Sequence, residues 1–245
     1  MRALIIQHDP SGPAGHVSNW LEAREDEQDV WLISGEEREV DPLDYDLIFT
    51  LGSESAAHDD SVPWLDQELR LLRRAFDADV PMLGICFGSQ ILARALGGRA
   101  MPAAHAEIGW VPVTSLEPEL VPDATWFEWH YDTFAPPPGA VLLAESPAAP
   151  QAYTLGRTLA VQFHPEVTPE MIDLWVAKGR DQLVRGGVDG DRLRAEMRQR
   201  DEENRNGVWR LLDAFRDRMV DAQRISNDGR PSGSSSRTST FSTSA

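Results

Sequence analysis

Cys86 is the only cysteine of the 245 residues, and it sits in Gly84-Ile85-Cys86-Phe87-Gly88-Ser89-Gln90. The apolar run Val80–Ile85 before it reads as a short buried strand. Behind it, Ile91, Leu92, Ala95 and Leu96 recur at helical spacing and stop at Gly97-Gly98, a helix C-cap pattern. A side chain at such a strand-to-helix turn stands on a sharp bend, a nucleophile elbow, where backbone N–H groups and the helix dipole favour a thiolate. A nucleophilic thiol needs a base, and the base needs an orienting group. Among six histidines, His164 lies at the end of an expected strand, in Gln162-Phe163-His164-Pro165-Glu166. Residues two apart in extended chain project to one side. Glu166 can therefore accept from one ring nitrogen while the other faces Cys86. The chemistry this set predicts is acyl transfer through a thioester. His130 is a rival base, but no carboxylate stands from it as Glu166 stands from His164.

The elements that must carry these groups alternate along the chain. Arg2–Gln7, Val30–Ser34 and Tyr45–Thr50 read as short strands, Val17–Ala23 as a helix. Pro63 opens a second helix with Leu65, Leu69, Leu72 and Phe76 on one face and Ser61 as a cap. After Gly98 the texture changes to strands at Glu107–Thr114, Val141–Glu145, Gln151–Leu155 and Thr158–Phe163, with turn signals at Pro136-Pro137-Pro138-Gly139 and Leu155-Gly156-Arg157. Helices are expected at Pro169–Val184 and from about 191 to 222. The pattern predicts an α/β fold: a flavodoxin-like three-layer sandwich whose central sheet is mostly parallel with antiparallel additions. One domain should span 1–222, followed by a disordered Ser/Thr-rich tail over 223–245 that cannot bury enough apolar area to order itself.

Composition narrows the function classes. A net charge of −17 argues against a nucleic-acid or anionic-membrane surface. Nothing reaches the length of a signal-peptide core or a membrane span, and one cysteine cannot close an intramolecular disulfide, so a cytoplasmic protein is expected. His8, His16, His58 and His105 are scattered without ligand-like spacing, so neither a metal site nor a cofactor is expected. Lys178 is the only lysine, which reads as genome composition. Asp9–Gly15 lacks a phosphate-binding register and reads as a loop over the carboxyl end of the first strand.

Residues 1–220 resemble a class I, or triad-type, glutamine amidotransferase domain, with most similarity to its stand-alone, GMP-synthase-like branch. The family's Gly-x-Cys-x-Gly-x-Gln motif is met by Gly84, Cys86, Gly88 and Gln90, and its histidine–glutamate motif by Gln162-Phe163-His164-Pro165-Glu166. The resemblance implies a glutaminase that forms a γ-glutamyl thioester on Cys86 and releases ammonia to a separate synthase. After about residue 185 the sequence leaves room only for helices and the expected tail, so the ammonia is expected to be used on another protein. The resemblance also implies an oxyanion hole from the N–H groups of Phe87 and Ser53, and substrate contacts from Gly52, Gln90, Trp129, His130 and Tyr131. Two departures stand out. Gly52-Ser53-Glu54 replaces a Gly-Gly-Pro turn, leaving that loop either mobile until a partner or substrate orders it or re-shaped for another substrate. Glu54 itself reads as a solvated loop acid. Tyr131 replaces a small residue and should narrow the pocket. Two other functions stand beside the glutaminase, the first of which keeps the chemistry and changes the substrate. One is a γ-glutamyl peptidase or hydrolase acting on γ-glutamyl conjugates; the other is a silent regulatory module.

Overall fold

The computed structural model describes residues 1–35 and 38–221. The expected tail, and residue 222 of the expected domain, lie outside them. Strands β1 (Arg2–Gln7), β2 (Glu27–Leu32), β3 (Leu47–Thr50), β4 (Met82–Ile85) and β9 (Thr158–Val161) run parallel, in the spatial order β2-β1-β3-β4-β9. The sheet continues antiparallel through β8 (Pro150–Leu155), β7 (Val141–Glu145), β5 (Arg99–Ser115) and β6 (Ala124–Ala135) into nine strands. The fold is therefore α/β around one mixed sheet, with the antiparallel additions where the turn signals at Gly139 and Gly156 lie.

Strand β1 shows why its apolar run is continuous rather than alternating. Ala3 and Ile5 join a core with α1 (Gly15–Glu22) and α6 (Gly190–Phe215) on one face, through Val17, Trp20, Leu211 and Phe215. Leu4 and Ile6 join the opposite core with α2 (Leu65–Asp77) and α3 (Phe87–Ala95), through Leu69, Leu72, Ile91 and Leu92. A strand covered on both faces needs apolar side chains at every position. A third cluster packs Phe127 of β6 against α4 (Pro169–Lys178), α5 (Arg180–Gly186) and the start of α6.

Three expectations shift. The helix expected over Pro169–Val184 is two, broken at Gly179, where a Cβ would come 2.8 Å from Cζ2 of Trp129. Ser61 does not cap α2: Trp64 occupies the cap without a side-chain bond, and the Ser61 N–H donates to Asp59. The last long helix runs Gly190–Phe215 and continues as a π-helical segment to Asp221.

The seam between β3 and α3 depends on Gly88, where a Cβ would lie 2.0 Å from the Thr50 carbonyl oxygen. That neighbour is backbone and cannot rotate away. Gly88→Ala should therefore cost about 3 kcal/mol or more, as overpacking against rigid groups does. Urea unfolding reads this directly. An unchanged midpoint would mean that α3 slides freely on the sheet.

Candidate active site

Cys86 sits between the end of β4 and the start of α3 at φ 53° and ψ −109°, outside the regions an L-residue favours. Such a conformation costs on the order of 1–3 kcal/mol and persists only where its surroundings over-determine it. Here they do. The Cys86 N–H donates to Val161 of β9 at 2.8 Å, the Gly88 N–H to Leu51 beyond β3 at 3.0 Å, and Ser89 Oγ to the Cys86 carbonyl at 2.6 Å. Gly84 and Gly88 are small because they face each other: a Cβ on Gly84 would lie 2.5 Å from the Gly88 carbonyl oxygen. As the first residue of α3, Phe87 has an N–H without an intrahelical partner.

His164 lies three residues past β9, so the expected strand is shorter than its sequence pattern. The predicted pairing survives because other contacts fix it. His164 Nδ1 and Glu166 Oε1 are 2.8 Å apart, and the Cys86 side chain lies close enough to the His164 ring to favour its charged form. The His164 N–H donates to Phe127 of β6 at 2.8 Å, and Trp175 of α4 packs edge-on against the ring at 4.9 Å. Burial alone would lower the His164 pKa. The Glu166 carboxylate and the Cys86 side chain more than offset it, and the imidazolium persists well above its ordinary range. Asn204 of α6 donates to the carbonyls of Pro165 and Val167 at 3.1 and 3.2 Å, and the His16 N–H donates to Glu166 at 2.8 Å. The long helix α6, whose apolar residues pack on the core, thus also clamps the loop that carries the acid.

These groups open onto one cavity of about 250 Å³ lined by every residue expected there from sequence: Gly52, Ser53, Cys86, Phe87, Gln90, Trp129, His130, Tyr131, His164 and Glu166. Gly52 faces the pair directly, since a Cβ on it would come 3.0 Å from His164 Cε1. Gln90 points its amide nitrogen at the Asp132 carbonyl (3.0 Å) and at Gln162 Oε1 (3.2 Å), tying α3 to β6. Tyr131 is 46% exposed, so it borders the mouth rather than the floor.

The Gly52-Ser53-Glu54 loop is anchored rather than loose. The Asp9 carboxylate accepts from Ser53 Oγ at 3.2 Å and from the Glu54 N–H at 2.9 Å. Behind the loop, His8 Nδ1 is 3.1 Å from the Gly52 carbonyl oxygen, and its Nε2 is 3.0 Å from Glu68. Glu54 is not simply solvated, because its carboxylate pairs with Lys178, which also donates to Ser11 Oγ at 3.1 Å. Both partners are more than half exposed, so the pair adds little stability. It stands on the cavity wall, opposite in sign along one edge. Asp9, Ser11, Trp175 and Lys178 also line the cavity without having been singled out as site residues from sequence; Asp9 and Ser11 belong to the loop expected over the end of β1, and Lys178 had stood out only as the single lysine.

The reason given from sequence for setting His130 aside does not hold. Its Nε2 is 3.1 Å from Glu107 and 3.4 Å from Glu128, so carboxylates do adjoin it. With Nδ1 held 2.8 Å from the Asp132 carbonyl, both ring nitrogens are engaged away from Cys86. It is this placement, and not the lack of a carboxylate, that separates the His130 ring from Cys86. Burial and the Glu107 charge hold the Glu128 carboxyl well above the usual carboxylate range.

Comparison with known proteins bears on what such a site does. The family model described as "Glutamine amidotransferase class-I" matches residues 29–176. A glutamine-hydrolysing GMP synthase of Thermus thermophilus is 41% identical over 102 residues, which is 38% of this chain. The chain spans only a fifth of the length of that relative. The glutamine amidotransferase-like protein YfeJ of Salmonella typhimurium is 28% identical across 87% of this chain and 96% of its own length. The crystal structure of a glutamine amidotransferase from Thermotoga maritima superimposes with a TM-score of 0.81 at 27% identity, covering 88% of this chain and 97% of its own. Among the described residues no helix is long and apolar enough to cross a membrane.

Proposed function

The chain belongs to the class-I glutamine amidotransferase family, and from that premise we propose that it hydrolyses the side-chain amide of glutamine and passes the ammonia to a separate synthase. The observation that carries the reading is the strained Cys86 sharing one cavity with a His164 that Glu166 holds by Nδ1.

The Cys86 thiolate attacks the γ-carboxamide carbon, and the carbonyl oxygen becomes an oxyanion. The Phe87 and Ser53 N–H groups receive that oxyanion, donors of a kind worth ~3–4 kcal/mol each in the transition state. The His164 imidazolium gives its proton to the departing nitrogen; the C–N bond breaks, leaving a γ-glutamyl thioester and ammonia. Neutral His164 then takes a proton from water, which attacks the thioester, and glutamate leaves as the thiol is restored. Glu166 fixes the tautomer and stabilises the charged ring at both steps. Gly52, Trp129, His130 and Tyr131 border the substrate, and Gln90 positions β6 against α3. The pocket calls on no cofactor for this chemistry.

The test is a comparison of glutamine with γ-glutamyl anilides, monitoring ammonia and glutamate, with and without candidate synthases. Equal release of both products from glutamine, and a glutamine-analogue electrophile that labels Cys86, is the expected outcome. Turnover of γ-glutamyl conjugates with glutamine untouched would move the assignment to a γ-glutamyl hydrolase. No adduct at Cys86 under any condition would make the chain a silent module.

A further inference from the structure

Strands β5 and β6 place Glu107 directly across from His130, and Glu128 lies two residues before His130 on the same face. These three side chains do not fit together as ordinary hydrogen-bond partners. The Asp132 carbonyl can only accept, so His130 Nδ1 must carry the hydrogen of their 2.8 Å contact. Nε2 then faces two carboxyl oxygens, Glu107 Oε2 at 3.1 Å and Glu128 Oε2 at 3.4 Å. A single Nε2 hydrogen cannot serve both. Glu128 is 0% exposed, and neither of its oxygens has a hydrogen-bond partner among the described residues. A buried carboxyl left in that state is costly. Something positive is called for at the point where the three donors converge.

We propose that Glu107, Glu128 and His130 form a binding site for one small divalent cation of the zinc class, buried behind the floor of the catalytic cavity. The donor atoms all lie within 4.8 Å of one another. Ligands about 2.0–2.1 Å from a tetrahedral ion are separated by roughly 3.3 Å, which the two distances from Nε2 bracket. One imidazole and two carboxylates match the donor types such ions take, and two negative charges balance a divalent one. The surrounding groups are those that orient ligands. His130 donates its other N–H to a backbone carbonyl, fixing Nε2 as the ligand nitrogen, and Gln151 Nε2 and Ser146 Oγ steady Glu107 at 2.9 and 3.1 Å. Gln151, whose Nε2 donates to Glu107, also has a buried Oε1 without a hydrogen-bond partner. His130 and Asp132 also line the catalytic cavity, which provides the way in. The sequence conceals the site because its members are 21 residues apart or more except for one pair, and a 17-residue β5 is needed to bring Glu107 opposite His130.

The experiment uses the full chain carrying Cys86→Ala, so that a thiolate beside His164 cannot take the metal. Zinc titration against a competing chelating dye, with elemental analysis after desalting, should give one zinc per chain and a raised thermal midpoint. Adding Glu128→Gln keeps the shape and removes one charge. It should weaken zinc at least about 100-fold, with the circular dichroism unchanged. Should that variant fold poorly, Glu107→Gln serves as the second and carries the same expectation. No zinc retained by the parent, or equal affinity after either substitution, would overturn the site and leave a shared proton as the account of the cluster. The outcome is independent of whether glutamine is the substrate, since the parent protein has no nucleophile.

Discussion

Cys86→Ala abolishes ammonia release from glutamine, by about 10⁴-fold or more in kcat, while the protein keeps its urea midpoint or gains slightly. Removing a nucleophile that works as a unit with its base commonly costs this much, and the residual rate belongs to the oxyanion donors and substrate binding alone. On the free-energy scale it is a loss of roughly 5.5 kcal/mol of transition-state stabilisation. The stability half of the expectation follows from position. Cys86 is 6% exposed at the edge of a cavity, and its side chain is not what holds α3 to the sheet. Gly84 and Gly88 do that, together with the backbone bonds to Val161 and Leu51. Alanine keeps those bonds and the positive φ. Steady-state kinetics and a denaturation curve on the same preparation read both halves. Measurable turnover at a tenth of the wild-type rate would remove Cys86 from the mechanism.

That contrast explains how much of the site was legible before the fold was known. The meeting of Cys86, His164 and Glu166 in one cavity was, because the patterns that pointed to it are local. A glycine-flanked cysteine between a strand and a helix, and a histidine two residues from a glutamate, each express their geometry within seven residues of chain. The apolar runs of β1, β3 and β4 were legible for a related reason, since a short continuous apolar run bounded by turn residues marks a strand buried on both faces. What stayed hidden depends on distant segments meeting. Lys178 reads as an accident of composition until α4 carries it to Glu54, and Asp9 reads as a loop acid until it meets Ser53 and the Glu54 N–H. The Ser53-Glu54 departure from the family turn looked like lost rigidity, yet the polar side chain and the acid supply the anchors that restore it. Asn204 was invisible because its stripe is otherwise apolar. The need for a glycine at 179 was hidden because Trp129, whose ring leaves no room there for a Cβ, lies 50 residues away on β6.

His164→Asn should lower kcat/KM nearly as far as loss of the thiol, whereas Glu166→Gln should cost less, on the order of 10²-fold or a little more. The difference lies in what each group contributes. His164 moves a proton in both half-reactions, and asparagine neither accepts nor donates one at the Cys86 side. Glu166 only orients and charges the ring through Nδ1, and glutamine can still accept there through its amide oxygen. The same pair makes a stability prediction with a definite sign. The folded state holds the His164 proton more tightly than the unfolded chain does, because Glu166 and the Cys86 side chain outweigh burial. The stability this contributes is complete below the unfolded histidine pKa of about 6.5 and is lost as pH rises through the higher folded value. Wild type should therefore exceed His164→Asn in unfolding free energy by more at pH 6 than at pH 9. Urea titrations of the two proteins at both pH values measure the gap, and a gap that widens with pH would mean that His164 is held neutral. A neutral ring at rest would reverse the order of events at the site: Cys86 would give up its proton during attack, not before it, and the proton for the leaving ammonia would come from the thiol itself.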